Sequence, residues 1–167
     1  GDGLNMAFEH GAASYGEWSG CHAVFHDMNG PKFSDLKIAA KYRKISYPWG
    51  IVINANGERF VDEGEDLRNY TYAKFGREVI KQPKQFAWQI FDQKVRPMLY
   101  SEYDVKTATK VKANTIEELV KKLKGVNSKK ALSTIKKYNS SVSSEIKFNP
   151  TIKDGKKTIG LKINKTN

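Results

Sequence analysis

The most informative pattern of apolar and polar positions in this chain lies between residues 50 and 63, Gly-Ile-Val-Ile-Asn-Ala-Asn-Gly-Glu-Arg-Phe-Val-Asp-Glu. Two apolar runs flank Asn56-Gly57, a dipeptide that tolerates positive φ, and the segment predicts a β-hairpin closed by a type I′ turn. Gln85 to Phe91 is dense in aromatic and β-branched residues and predicts a strand paired with that hairpin in one sheet. Between them a helix is expected from Tyr70 to Gln82, ended by Pro83. Near the start, Asp2 can cap a helix through Leu4, Met6, Ala7 and Phe8 that stops at Gly11. Val95 to Tyr103 predicts a short helix or turn interrupted by Pro97. Thr115-Ile-Glu-Glu118 has capping-box spacing and opens a helix through Leu119 and Leu123 to Gly125. Ser128 opens another, with Ala131, Leu132, Ile135 and Tyr138 in one apolar stripe and Lys129, Lys130, Lys136 and Lys137 towards water. The tail from Phe148 to Ile163, turning at Asp154-Gly155, predicts an irregular or β-like return.

Strands and helices do not alternate as βαβα, so the fold class is α+β: a small mixed or antiparallel sheet with a hairpin at 50–63 and several packed helices. No GxGxxG follows a strand, so the chain carries no Rossmann fold of its own. A length of 167 residues with 39% hydrophobic content suits one domain with a sizeable core. No apolar run approaches the ~20 residues of a membrane helix, and the start lacks the charged and apolar regions of a signal peptide. A soluble, cytoplasmic protein without membrane insertion is expected. The single cysteine, Cys21, excludes an internal disulfide.

Net charge is +11, and the excess lies in the last third: residues 106–167 hold 16 lysines against 4 acids, residues 1–105 hold 13 basic and 14 acidic residues. Such a field can attract nucleic acid. These lysines, however, fall on polar helix faces without arginine and with little aromatic interleaving, which favours a solvated surface over a nucleic-acid partner. A lysine-rich binding module stays as the non-enzymatic alternative.

Residues 15–31 mix aromatics, glycines and two of the three histidines, with a turn at Asn29-Gly30-Pro31. Cys21, His22, His26 and Asp27 are zinc-ligand types, but no second cluster completes a site and no metal is predicted. Arg68, in Asp66-Leu67-Arg68-Asn69-Tyr70, reads from its neighbours alone as the partner of Asp62, Glu63 or Asp66.

The run GIVINANGERFVDE followed by DLRNYTYAKFGREV resembles the substrate-capping domain of the FAD-dependent fumarate reductase/succinate dehydrogenase flavoproteins. With YPWGIVINANGERFVDEG, RNYTYAKFGRE and DGKKTIGLKINKTN it is most similar to their tricarballylate dehydrogenase branch. The resemblance implies a piece of a longer polypeptide: residues 1–14 as the edge of an FAD-binding domain, 15–163 as the cap, 164–167 as the return to that domain. It implies Gly1, Asp2 and Gly3 facing the dinucleotide, FAD held largely by the other domain, and an isolated cap without activity. It implies Arg68 as the group that passes a proton to a substrate carbon, although Asn69 stands where relatives have an acid. His22 is implied as a substrate-carboxylate ligand, with His26 as the competing assignment. A Thr-Glu pair of the family aligns near Tyr42 and Arg43 and is not retained. Tyr42, Arg43, Lys44 and Tyr47 would instead supply donors suited to an additional carboxylate. The implied reaction adds or removes hydrogen across a carbon–carbon bond of a small di- or tricarboxylate. The cap of 3-ketosteroid dehydrogenases is the alternative within the same resemblance.

Overall fold

A computed structural model describes residues 1–20, 22–33, 37–149 and 151–166. Strands β1 (Ile51–Asn54) and β2 (Ala87–Ile90) pair antiparallel, with Ile51 opposite Ile90 and Asn54 opposite Ala87. Successive side chains of a strand point to opposite faces, and here both faces of β1 are covered. Val52 enters a cluster with Phe25, Ile45, Tyr47, Val61 and Phe75, the last from helix α2 (Arg68–Ile80). Ile51 and Ile53 enter a second cluster with Val120, Leu123, Ala131 and Ile135, supplied by helices α3 (Ile116–Lys122) and α4 (Ser128–Ser140) and the residue that ends α3. A narrow sheet thus lies between two helical layers, and the α+β class expected from the sequence is what forms.

The hairpin forms with a different turn. Gly57 has φ +80°, whereas Asn56 keeps a negative φ, and the Gly57 amide donates to the Asn54 carbonyl at 2.9 Å. This is a type I turn over Ala55 and Asn56 followed by a left-handed glycine, not the type I′ turn that Asn-Gly suggested. The return arm contributes one bridge, Ile53 to Arg59, rather than a strand. Arg59 and Glu63 turn inward there, and the ladder stops. The turn rests on α4: the Asn127 amide donates to the Ala55 carbonyl at 2.9 Å, and a Cβ added to Gly57 would lie 2.5 Å from the Ala131 nitrogen.

Helix α2 begins at Arg68, two residues before the expected start, and ends ahead of Pro83. Thr115 Oγ1 accepts from the Glu118 amide at 3.2 Å, while Glu118 reaches back to the Asn114 amide, one residue beyond its capping-box partner. Asn127, rather than Ser128, caps α4 through a 3.0 Å bond from the Lys130 amide. At the chain start, helix α1 (Asp2–Glu9) has Gly1 at its cap, and Asp2 sits inside the first turn without a side-chain capping bond. The region around Pro97 forms two 3₁₀ turns, Gln93–Met98 and Ser101–Tyr103. The tail is irregular, joined to the end of α4 by a single bridge between Val142 and Thr158.

Candidate functional site

Arg68, Tyr72 and Gly76 recur every four residues along α2 and therefore share one face. At Gly76 another stretch of backbone crosses the helix: a Cβ there would lie 2.5 Å from the Ala23 carbonyl carbon and 2.6 Å from the Val24 nitrogen. Only glycine permits that approach. The crossing segment is fixed on its other side by main-chain bonds, Asp27 N to Tyr42 O and Lys44 N to Phe25 O, both 2.8 Å. This geometry sets His22 against α2. Its Nε2 stands 2.5 Å from the Tyr72 hydroxyl, and the two rings meet edge to face with centroids 4.9 Å apart. His22 therefore touches α2 at Tyr72, one helical turn along from Arg68.

The acids near Arg68 are occupied elsewhere. Glu63 pairs with Arg59, Asp66 pairs with Lys153 at 2.8 Å, and Glu65 pairs with Lys74. Asp62 accepts from the Gly64 amide and from Thr166. The expected pairing of Arg68 with Asp62, Glu63 or Asp66 is absent among the described residues. Its guanidinium carbon instead lies 5.3 Å from the centre of the Tyr100 ring, a cation–π contact that leaves the donors of the fork uncommitted. The start of α2 is pinned from below: Tyr47 Oη donates to the Arg68 carbonyl at 3.3 Å and shares a 2.6 Å bond with Thr71 Oγ1. Burial pushes the Tyr47 phenol up to about 12.

The remaining residues named from the sequence lie in varied surroundings. Tyr47 is in the core, between Phe25 and Phe75. Tyr42 is buried, with its hydroxyl 2.6 Å from Thr107 Oγ1 and its ring stacked on His26. Arg43 is half exposed and pairs with Glu102 at 3.2 Å. Lys44 turns inward, donating to the Glu102 carbonyl and standing 3.9 Å from Asp27; burial lowers its pKa. His26 is set against the turn at Gly30, away from the contact that His22 makes with α2. Gly1, Asp2 and Gly3 are exposed at the head of α1. Cys21 lies outside the described residues, among which no three potential metal ligands gather.

Several residues that organise this region carried no sequence signal. Glu63 is fully buried, accepts from the Val52 amide at 2.7 Å and pairs with Arg59, which also donates to the Ile163 carbonyl at 2.7 Å. Lys165 is half-buried beside them, donating to the Pro48 and Gly50 carbonyls at 2.6 and 2.8 Å, and the desolvation of its ammonium pushes its pKa down to about 8. The tail is thereby tied to the hairpin. Gly76 and Tyr72 were also missed; a glycine inside an otherwise regular helix was the available clue to a close backbone crossing. The outer side of α4 presents Lys129, Lys136 and Lys137 to solvent.

No protein-family model matches the chain, and no solved structure matches it. Among the described residues no helix is long and apolar enough to cross a membrane. The chain is 30% identical over 147 residues to a probable fumarate reductase, Ifc3, of Shewanella frigidimarina. That match takes in 86% of this chain and 22% of the relative, so the chain spans about a fifth of the length of the protein it matches. Over most of its length, then, this chain is similar to one segment of a probable fumarate reductase, which supports the flavoprotein family, though not the particular branch, read from its sequence.

Proposed function

We propose that this chain is the substrate-capping lid of an FAD-dependent oxidoreductase that adds or removes hydrogen across a carbon–carbon bond of a small di- or tricarboxylate of the fumarate or tricarballylate kind. The observation that carries the reading is made along α2: at Arg68 a guanidinium with no carboxylate partner among the described residues, and at Tyr72, one turn on, the contact of an exposed imidazole, His22. The likeness to a probable fumarate reductase supports it.

The chain's own residues suit part of the cofactor only. The exposed first turn of α1 offers backbone amides of the kind that meet phosphate or ribose oxygens, and no glycine-rich strand-to-helix turn accompanies it. FAD would therefore be held by an FAD-binding domain and covered by this one. When bound, the flavin supplies the hydride chemistry. His22 would hold one substrate carboxylate by hydrogen bonding. Arg68, half buried over Tyr100, would hold or deliver the proton at the adjacent carbon, and its fixed helix position would set the angle of approach. Arg43, now paired with Glu102, would have to exchange that partner to hold a further carboxylate. Closing the lid would exclude water from the reacting carbons.

The test uses the complete polypeptide that the gene encodes, purified and assayed for bound FAD, fumarate reduction and tricarballylate oxidation. Arg68→Ala is expected to lower kcat by about 10²- to 10⁴-fold, the range for loss of a positioned proton-transfer group, with little change in KM. A polypeptide without flavin, or an Arg68→Ala variant that keeps the full rate, overturns the reading.

A further inference from the structure

We infer that Tyr72 is a positioning residue for His22: its phenol donates to Nε2, holds the imidazole in the Nδ1–H tautomer and turns that N–H outward as the donor for a carboxylate. Nε2 and the hydroxyl oxygen are 2.5 Å apart, within hydrogen-bonding distance, and the two rings meet edge to face. Either group could donate in principle. A phenolic O–H is the better acid and an sp² imidazole nitrogen the better base, so the short bond is made with the proton on oxygen. One nitrogen being an acceptor, the other must carry the hydrogen in the neutral ring. No described residue bonds to His22 Nδ1.

The rest of the surroundings fit a fixed imidazole. Tyr72 is half buried and packs against the cluster of Phe25, Tyr47, Val52 and Phe75, so its hydroxyl has a defined position. The backbone beside His22 is held by the close crossing at Gly76, one turn further along the same ridge. An exposed histidine would otherwise sample both tautomers and several rotamers. Ordering it before a ligand arrives removes that cost from binding. Oriented hydrogen bonding of the second ring nitrogen is the same device that sets the tautomer of metal-bound histidines, applied here to an organic anion.

The nature of the carboxylate rests on the proposed function, but the tautomer does not. The test records long-range proton–nitrogen correlations of the ¹⁵N-labelled 167-residue chain at a pH where its histidines are neutral. Wild type is expected to show His22 with a protonated Nδ1 and a bare Nε2. Tyr72→Phe, which keeps the ring and its packing, is expected to release His22 to a mixture rich in the Nε2–H form that free histidine prefers. A wild-type His22 protonated on Nε2 overturns the inference without any variant, as does an unchanged tautomer in Tyr72→Phe. In the complete polypeptide Tyr72→Phe should raise KM for the carboxylate by about tenfold and leave kcat nearly unchanged, the pattern of lost ground-state positioning. An inactive polypeptide with the expected tautomer sinks the flavoprotein reading and leaves the role of Tyr72 standing.

Discussion

The two sides of β1 are built by different means. On the α3–α4 side, Ile51 and Ile53 meet Val120, Leu123, Ala131 and Ile135, and the helices are started by their own caps, Thr115 and Asn127. On the α2 side, Val52 meets residues drawn from positions 25 to 75, and the region is stitched by polar ties between distant segments: Glu63 to Val52, Arg59 to Ile163, Lys165 to Pro48, Tyr47 to Arg68. The first side uses local signals and aliphatic packing. The second uses buried polar groups that each need a particular partner, and it is the side that holds Arg68 and His22. A precise site requires side chains fixed from several directions, and long-range polar ties provide that at the cost of tolerance to change.

The largest effect that separates the two sides is expected at Glu63. Its carboxylate is fully buried between Arg59 and the Val52 amide. Glu63→Ala leaves the Arg59 guanidinium, itself nearly buried, without its counter-charge, and the loss should be about 3–5 kcal/mol. Urea denaturation of both proteins measures it. A loss below about 1 kcal/mol would mean that the polar ties decorate the α2 side and do not hold it.

Gly76 comes next. In a free helix, replacing glycine by alanine would gain about 1 kcal/mol from propensity alone. Here the new Cβ meets main-chain atoms of Ala23 and Val24, which cannot swing away as a side chain can. Gly76→Ala should cost a net ~2 kcal/mol, as overpacking does, and should push the 22–27 segment off α2. The second effect is read directly: magnetisation transfer between the His22 and Tyr72 rings, strong in wild type, should disappear. An alanine variant that is more stable and keeps the ring contact would show that the crossing is loose.

What the sequence disclosed follows the same division. The cap of α3, the apolar stripe of α4 and the pairing of Gln85–Phe91 with the hairpin were readable because each depends on residues a few positions apart, whereas the cap of α4 was placed one residue late, at Ser128 instead of Asn127. Asn56-Gly57 marked the turn but not its type, since the docking of Gly57 on α4 selects the single left-handed residue. Gly76 was passed over, because the reason for it lies at Ala23, far away in sequence. The partner of Arg68 was misread for a related cause: four acids precede it within six residues, and only the fold shows that each is engaged elsewhere. His22 and Arg68 were singled out through family likeness. No periodicity or spacing links position 22 to α2; the fold does, through the contact of His22 with Tyr72.

The smallest effect tests the other side. Thr115 caps α3 with one bond to the Glu118 amide, in a helix whose buried residue is Val120. Thr115→Ala should cost about 1 kcal/mol, the usual value of a lost cap. Because the cap serves only its own helix, amide exchange should quicken at residues 116–118 while the His22–Tyr72 ring contact stays as in wild type. If removing this cap also loosened His22, the sheet would be passing strain from one layer to the other. The separation between a locally specified scaffold and a long-range, polar site layer would then be false, since β1 would couple the two cores that its alternating side chains keep apart.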